Sequence, residues 1–166
     1  TINNSGEISI TAAGVAAGVA QNDFETGLNS FTYAIQPGDA AGNWSNAVNV
    51  TLAVNNLDEV APTVTSGATA TAINENSGAG QVVYTATADD SADISAGVTF
   101  SLGGADAALF SINSSTGEVT LTGNPDYESK SSYSFTVIAD DGVNTPTQQA
   151  VTLAVNNLDE VAPTVT

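Results

Sequence analysis

Val50-Thr51-Leu52-Ala53-Val54-Asn55-Asn56-Leu57-Asp58-Glu59-Val60-Ala61-Pro62-Thr63-Val64-Thr65 recurs letter for letter at Val151–Thr166. An identical block returning at domain-length spacing marks a chain built from tandem repeats. Its first half alternates Val50, Leu52 and Val54 with Thr51 and Ala53, the period of a half-buried strand. Its second half crowds Asn55, Asn56, Asp58 and Glu59 ahead of Pro62, so the block reads as a last strand running into an acidic junction.

The two copies bracket one complete repeat at residues 61–162, with residues 163–166 beginning the next. A unit of about 100 residues is large enough to bury its own core. Residues 1–60 read as the C-terminal part of a truncated domain of the same kind. Ser5-Gly6-Glu7-Ile8-Ser9-Ile10-Thr11 corresponds to Thr116-Gly117-Glu118-Val119-Thr120-Leu121-Thr122, and Asp23-Phe24-Glu25 to Asp126-Tyr127-Glu128. That reading predicts unpaired strand edges and an uncovered apolar face drawn from Phe31, Tyr33, Ile35, Val50, Leu52 and Val54. Such edges invite pairing with another chain, including other copies of this one in a fibre.

In the complete repeat, short β-rich runs alternate with turn residues at the spacing of an all-β sandwich. Seven strands are predicted, near Thr69–Ile73, Gln81–Ala88, Gly97–Leu102, Leu109–Ile112, Glu118–Thr122, Tyr133–Ala139 and Gln148–Asn156. A period of two points Val82, Tyr84, Ala86, Phe110, Ile112, Val119, Leu121, Tyr133, Phe135, Val137, Val151, Leu153 and Val155 inward. In the first piece, strands are predicted at Glu7–Thr11, at Phe31–Ile35 and from about Ala47, and the small-residue run Ala12–Ala20 as an extended loop or bulged strand.

Eighteen Asp and Glu against one Lys give a net charge of −17, which argues against nucleic acid and anionic membrane surfaces and makes cations the natural partners. No apolar run approaches the ~20 residues of a membrane span. The absence of His, Cys and Met removes disulfides, most transition-metal ligands and most nucleophile and base pairs, so no enzyme is predicted. Most carboxylates cluster at strand ends: Asp23 with Glu25, Asp39, Asp58 with Glu59, Glu75, Asp89 with Asp90, Asp126 with Glu128, Asp140 with Asp141, and Asp159 with Glu160. Oxygen donors without nitrogen or sulfur suit Ca2+, which takes six to eight of them. Glu7, Asp93, Asp106 and Glu118 stand outside these clusters and read as solvating charges, and Trp44 reads as packing over the sandwich edge rather than stacking on a sugar.

Ile73-Asn74-Glu75-Asn76, Thr116-Gly117-Glu118-Val119, Asp126-Tyr127-Glu128, Ala139-Asp140-Asp141-Gly142 and Asn157-Leu158-Asp159-Glu160-Val161-Ala162-Pro163 stand in the order and approximate spacing of the cadherin repeat. The chain resembles in particular the cadherin-like extender repeats of large bacterial surface adhesins of the RTX type, a likeness to which Asp39-Ala40-Ala41-Gly42-Asn43 adds. The resemblance implies a seven-stranded Greek-key, immunoglobulin-like sandwich whose domain junctions bind Ca2+. Carried over residue by residue, it places Asp23, Glu25, Asn56, Asp58, Glu59, Asp89, Asp90 and Asp141 at the first junction, and Glu75, Asp126, Glu128, Asn157, Asp159 and Glu160 at the second. Asn56 and Asn157 stand where the family usually has Asp, and Ala88 takes the first place of its Asp-x-Asp pair, with Asp89 as the substitute. The implied role is that of an extracellular, calcium-stiffened extender serving cell adhesion and biofilm formation, with neighbouring repeats as partners; the alternative is a module that itself binds polysaccharide or a like domain.

Overall fold

The computed structural model describes residues 23–164, and the predictions for Glu7–Thr11 and Ala12–Ala20 lie outside them. The chain divides into two compact units, Thr1–Leu57 and Asp58–Thr166.

The N-terminal unit presents strands β1 (Ser30–Ile35) and β2 (Val48–Ala53). They pair antiparallel, with Phe31 opposite Leu52 and Tyr33 opposite Val50. The predicted apolar face is largely open: Tyr33, Val50 and Leu52 are all exposed.

The C-terminal unit contains β3 (Thr63–Val64), β4 (Ile73–Asn74), β5 (Gln81–Thr85), β6 (Ala88–Asp89), β7 (Thr99–Gly103), β8 (Phe110–Ile112), β9 (Glu118–Leu121), β10 (Ser132–Asp140) and β11 (Thr147–Asn156), with one 3-10 turn at Ala107–Leu109. One sheet has the order β4-β11-β10-β7, a second the order β5-β9-β8, and β3 pairs with β6. Among the described residues there is no α-helix, and the architecture is the predicted all-β sandwich. The β10–β11 hairpin repeats the register of β1–β2, with Tyr133 opposite Leu153 and Phe135 opposite Val151.

The core forms where the inner faces of the two sheets meet. Tyr133, Phe135 and Val137 of β10 and Val151, Leu153 and Val155 of β11 alternate with exposed or half-buried neighbours, as a pleated strand covered on one face requires. Opposite them lie Val83, Tyr84, Phe110, Val119 and Leu121. Phe110 meets the Tyr133 ring edge-on at 5.7 Å, and Tyr84 meets Phe135 edge-on at 5.9 Å. Fully burying one such side chain contributes about 1.5–3 kcal/mol. The Tyr84 hydroxyl donates to Gly67 O at 2.6 Å, so its burial leaves no orphaned polar group.

Four predictions on strands and facing need correction. Val82 points out, 57 % exposed, while Val83 is buried, because the ladder to β9 slips between Val82 and Tyr84. This bulge inserts one residue and reverses the facing that strict alternation gives. The run predicted as Gln81–Ala88 is two strands, β5 and β6. The run Thr69–Ile73 shrinks to a single parallel bridge from Thr69 to Thr152 followed by β4, while β3, not foreseen, pairs earlier with β6. Leu109 belongs to the 3-10 turn and is exposed rather than opening a strand. The first segment of the domain thus changes partners, from β6 to β11, which no single straight strand can do.

Candidate metal centre

Pairing geometry brings distant carboxylates together. β4 runs parallel to the end of β11, with Asn74 beside Asn156, so Glu75 emerges next to the segment leaving β11. Its own amide donates to Asn156 O at 3.1 Å. The side chain is 1 % exposed. Its two oxygens accept from Leu158 N at 2.5 Å and Tyr127 N at 2.9 Å. The Asp126–Glu128 turn precedes β10, whose start pairs with the end of β11, and so reaches the same pole. Asp126 fixes that turn by accepting from Ser129 N at 3.0 Å and Ser129 Oγ at 2.8 Å.

Glu75, Glu128 and Glu160 each bring an oxygen within 4.8 Å of the others. Asn157 Nδ2 donates to Glu128 Oε1 at 3.2 Å, Asp159 Oδ1 accepts from Val161 N at 3.2 Å, and Asn76 Nδ2 donates to Glu160 Oε1. The amides of Leu158 and Tyr127 hold the Glu75 carboxyl below its ordinary value despite burial and the Asp126 charge. Glu160 moves the other way, raised first by burial and then by the charges of Glu75, Glu128 and Asp126. The group therefore carries negative charge at close quarters with no cationic side chain in it.

The second group lies at the far end of the same strand. β10 is nine residues long, which separates its two ends by about 30 Å. Asp58, Asp90 and Asp141 converge there to within 4.8 Å. Asp141 is 9 % exposed. Its Oδ1 accepts from Val143 N and Asn144 N, both at 2.8 Å. Asn144 Nδ2 donates to Asp58 Oδ1 and to Asp141 Oδ2, both at 2.9 Å. These bonds, the Asn144 side chain foremost, hold the Asp141 carboxyl below its usual value. Asp89 stands outside the group and turns its Oδ1 to Ser91 N at 3.0 Å. Glu59 anchors through its amide, which donates to Asp93 Oδ2 at 3.1 Å.

In the N-terminal unit Asp23 repeats the Asp126 arrangement: its Oδ1 accepts from Glu25 N and Thr26 N, and its carbonyl accepts from Gly27 N as that of Asp126 does from Lys130 N. Glu25 is exposed there, and Asn56 follows β2. Asp39 is engaged within its own loop.

The sequence does not single out Asn144, holds Asn76 only as part of the Ile73–Asn76 motif and presents Asp93 as a solvating charge; the only signal of each is an oxygen-bearing side chain close in sequence to a carboxylate cluster. Asp93 and Asp106 are more than solvating charges: Asp93 fixes Glu59, and Asp106 accepts from Ser134 N at 2.8 Å and pairs with Lys130 at 2.9 Å.

Oxygens within 4.8 Å of one another stand close to the spacing of ligands that share one Ca2+ at 2.3–2.6 Å, so small side-chain adjustments bring all three onto a common centre. Both groups in the C-terminal unit consist of carboxylates with amide side chains beside them, hard oxygen donors that fit Ca2+ and lack the nitrogen and sulfur ligands softer metals prefer.

The cadherin domain model matches residues 69–156, more than half of the chain. The chain belongs to the cadherin family. Cadherin domains are extracellular adhesion modules and bind Ca2+ generally. This cadherin domain is similar to a crystal structure of human protocadherin-24 EC1-2, at 25 % identity and a TM-score of 0.51 over 58 % of this chain and 44 % of that one. It shares its fold with extracellular cadherin domains 1-5 of protocadherin gamma B2, at a TM-score of 0.60 and 15 % identity over 78 % of this chain and 32 % of that one. The same holds for cadherin domains 1-4 of protocadherin gamma B7, with a TM-score of 0.56 and 21 % identity over 76 % and 31 %. The chain spans less than half the length of these relatives. No helix among the described residues is long and apolar enough to cross a membrane.

Proposed function

We propose that the chain is an extender segment of a secreted bacterial adhesin of the RTX type, or of an extracellular fibre: tandem cadherin domains, stiffened by calcium at their junctions, that project a binding domain for cell adhesion and biofilm formation. The reading rests on the convergence of Glu75 and Glu128, from the body of the domain, with Glu160, from the segment that leaves it. Without a cation these charges repel across less than 4.8 Å, and burial, with the charges of Glu75, Glu128 and Asp126 behind it, raises the Glu160 carboxyl. A calcium ion held by all three ties the departing segment to the sandwich and removes its freedom to swing. The letter-for-letter return of Val50–Thr65 at Val151–Thr166 gives both junctions the same linker chemistry and supports domain boundaries after residues 60 and 162.

Small-angle scattering of the chain with millimolar calcium and with chelator tests the proposal. The expected result is a longer, better-defined maximum dimension with calcium. Superimposable profiles would overturn the stiffening role.

A further inference from the structure

Trp44, the chain's only tryptophan, does not pack over the sandwich edge: it stands 70 % exposed in the loop between β1 and β2. That loop is a narrow hairpin rather than a slack connection. Asp39 N donates to Asn43 O at 2.9 Å, Gly42 N to Asp39 O at 3.1 Å and Ser45 N to Pro37 O at 3.0 Å, while Gly38 and Trp44 form an antiparallel bridge. Asp39 closes the tip: its Oδ1 accepts from Ala41 N at 3.0 Å and Asn43 N at 2.9 Å, and its Oδ2 from Asn43 Nδ2 at 2.8 Å. Gly42, at φ +90°, takes the left-handed position that the tip requires.

The ring is held flat. A Cβ placed on Gly38 would lie 2.9, 3.0 and 3.1 Å from the Cε3, Cδ2 and Cζ3 atoms of Trp44. Near-equal distances to three consecutive ring atoms place Gly38 against the face of the indole, not its edge. Glycine at this position lets the backbone approach and cover one face while the other is turned outward. The hairpin is thus organised around a preset, exposed aromatic plane.

We infer that Trp44 is a stacking platform for a neutral saccharide. The indole by itself buries at most about 250 Å², against the ~1,000 Å² of a stable protein interface, and the open Tyr33, Val50 and Leu52 lie on the β1–β2 ladder rather than in this loop. It does match one sugar ring, whose C–H face stacks on the indole while its hydroxyls bond to groups at the rim. Gln36 Nε2, Asn43 Nδ2 and Ser45 Oγ donate within the loop, to Ser45 O, Asp39 Oδ2 and Asn46 O, which leaves their oxygens as acceptors for sugar hydroxyls beside the Asn46 amide, and residues 36–46 contain no branched aliphatic side chain and no second aromatic. The net charge of −17 disfavours anionic glycans, and the one Lys, Lys130, belongs to the other unit. This site uses none of the carboxylate groups assigned to calcium, so the two readings fail separately.

Because Trp44 is the only tryptophan, emission excited at the red edge of the absorption band, where the four tyrosines do not absorb, reports on this site alone. The full chain is titrated in chelator with neutral cello-, malto-, laminari- and chito-oligosaccharides, and its retention is measured in affinity gels containing the corresponding neutral polysaccharides. The expected result is a saturable emission shift with protection from acrylamide for at least one sugar. Trp44→Ala should weaken retention about fivefold to tenfold. Gly38→Ala, which pushes the ring off its seat, should do the same, and Trp44→Tyr should keep part of the binding, with circular dichroism confirming the fold of each variant. Emission unchanged across the panel, or retention equal in Trp44→Ala, would overturn the proposal. An emission shift that follows protein concentration without sugar would overturn it equally, since the ring would then serve a contact between chains.

Discussion

The backbone amide of Tyr127 donates to Glu75 Oε2 at 2.9 Å, joining residues 52 positions apart. Leu158 N serves the other carboxylate oxygen. Glu75 is thus a fastener between the β4 end, the turn before β10 and the segment after β11, and in the proposed calcium site it is also one of the three charges. Glu75→Gln removes the charge and turns an amide N–H toward one of these donors. The expected outcome is a lower melting temperature in chelator and calcium affinity reduced more than about tenfold by isothermal titration.

Calcium should raise the melting temperature of the C-terminal unit. At ten times the dissociation constant, binding to the folded state alone adds about 1.4 kcal/mol per site, and a domain of this size gains roughly 4–8 °C per kcal/mol. With dissociation constants near 10⁻⁴–10⁻³ M expected for extracellular modules, a calorimetric titration across millimolar calcium covers the range. A melting temperature indifferent to calcium up to tens of millimolar would remove both site assignments.

Asp106 gives an acid-dependent contribution that calcium does not share. Ser134 N and the Lys130 ammonium hold its carboxyl below the ordinary value, and Lys130 also lies 5.4 Å from the centre of the Tyr133 ring. A depressed carboxyl stabilises fully above its unfolded value near 4, and that stabilisation is lost as pH falls through the folded value. Asp106→Asn should therefore cost about 1–2 kcal/mol at neutral pH, and the difference from the parent should shrink below pH 4 in denaturant titrations.

Gly117 sits at φ +72°, where a Cβ would stand 2.2 Å from Ala86 O. Gly117 N donates to Asn113 O and Gly117 O accepts from Ala86 N, so neither chain segment is free to retreat. Gly117→Ala should destabilise by more than about 2 kcal/mol, whereas Gly123→Ala, which meets nothing within 4 Å, should stay within about 0.5 kcal/mol. Equal denaturation midpoints for the two variants would contradict the close approach.

The bulge on β5 separates two adjacent valines. Val83, 1 % exposed, is in the core, and Val82 is outside it. Val83→Ala should cost about 2 kcal/mol and Val82→Ala less than about 0.5 kcal/mol by chemical denaturation. The reverse order would restore strict alternation along this strand.

By itself the sequence determined the repeat, the all-β class and the acidic poles. The returned block Val50–Thr65, the alternation through Tyr133, Phe135, Val137 and Val151, Leu153, Val155, and the carboxylates at strand ends are local patterns that survive any detail of packing. Tertiary structure alone decided where the β5 ladder slips, since alternation records facing but not register. It also decided that the segment Thr63–Asn74 changes partners from β6 to β11, because hydrogen bonding to a sheet edge leaves no mark in composition. Which carboxylates meet was decided the same way: Glu75 reaches Glu128 and Glu160 through the parallel pairing of Asn74 with Asn156 and the antiparallel pairing of β10 with β11, contacts set by partners many residues away. The seat of Trp44 was decided likewise: the hairpin folds Gly38 onto one face of the ring and leaves the side chain 70 % exposed, a packing relation that composition does not record.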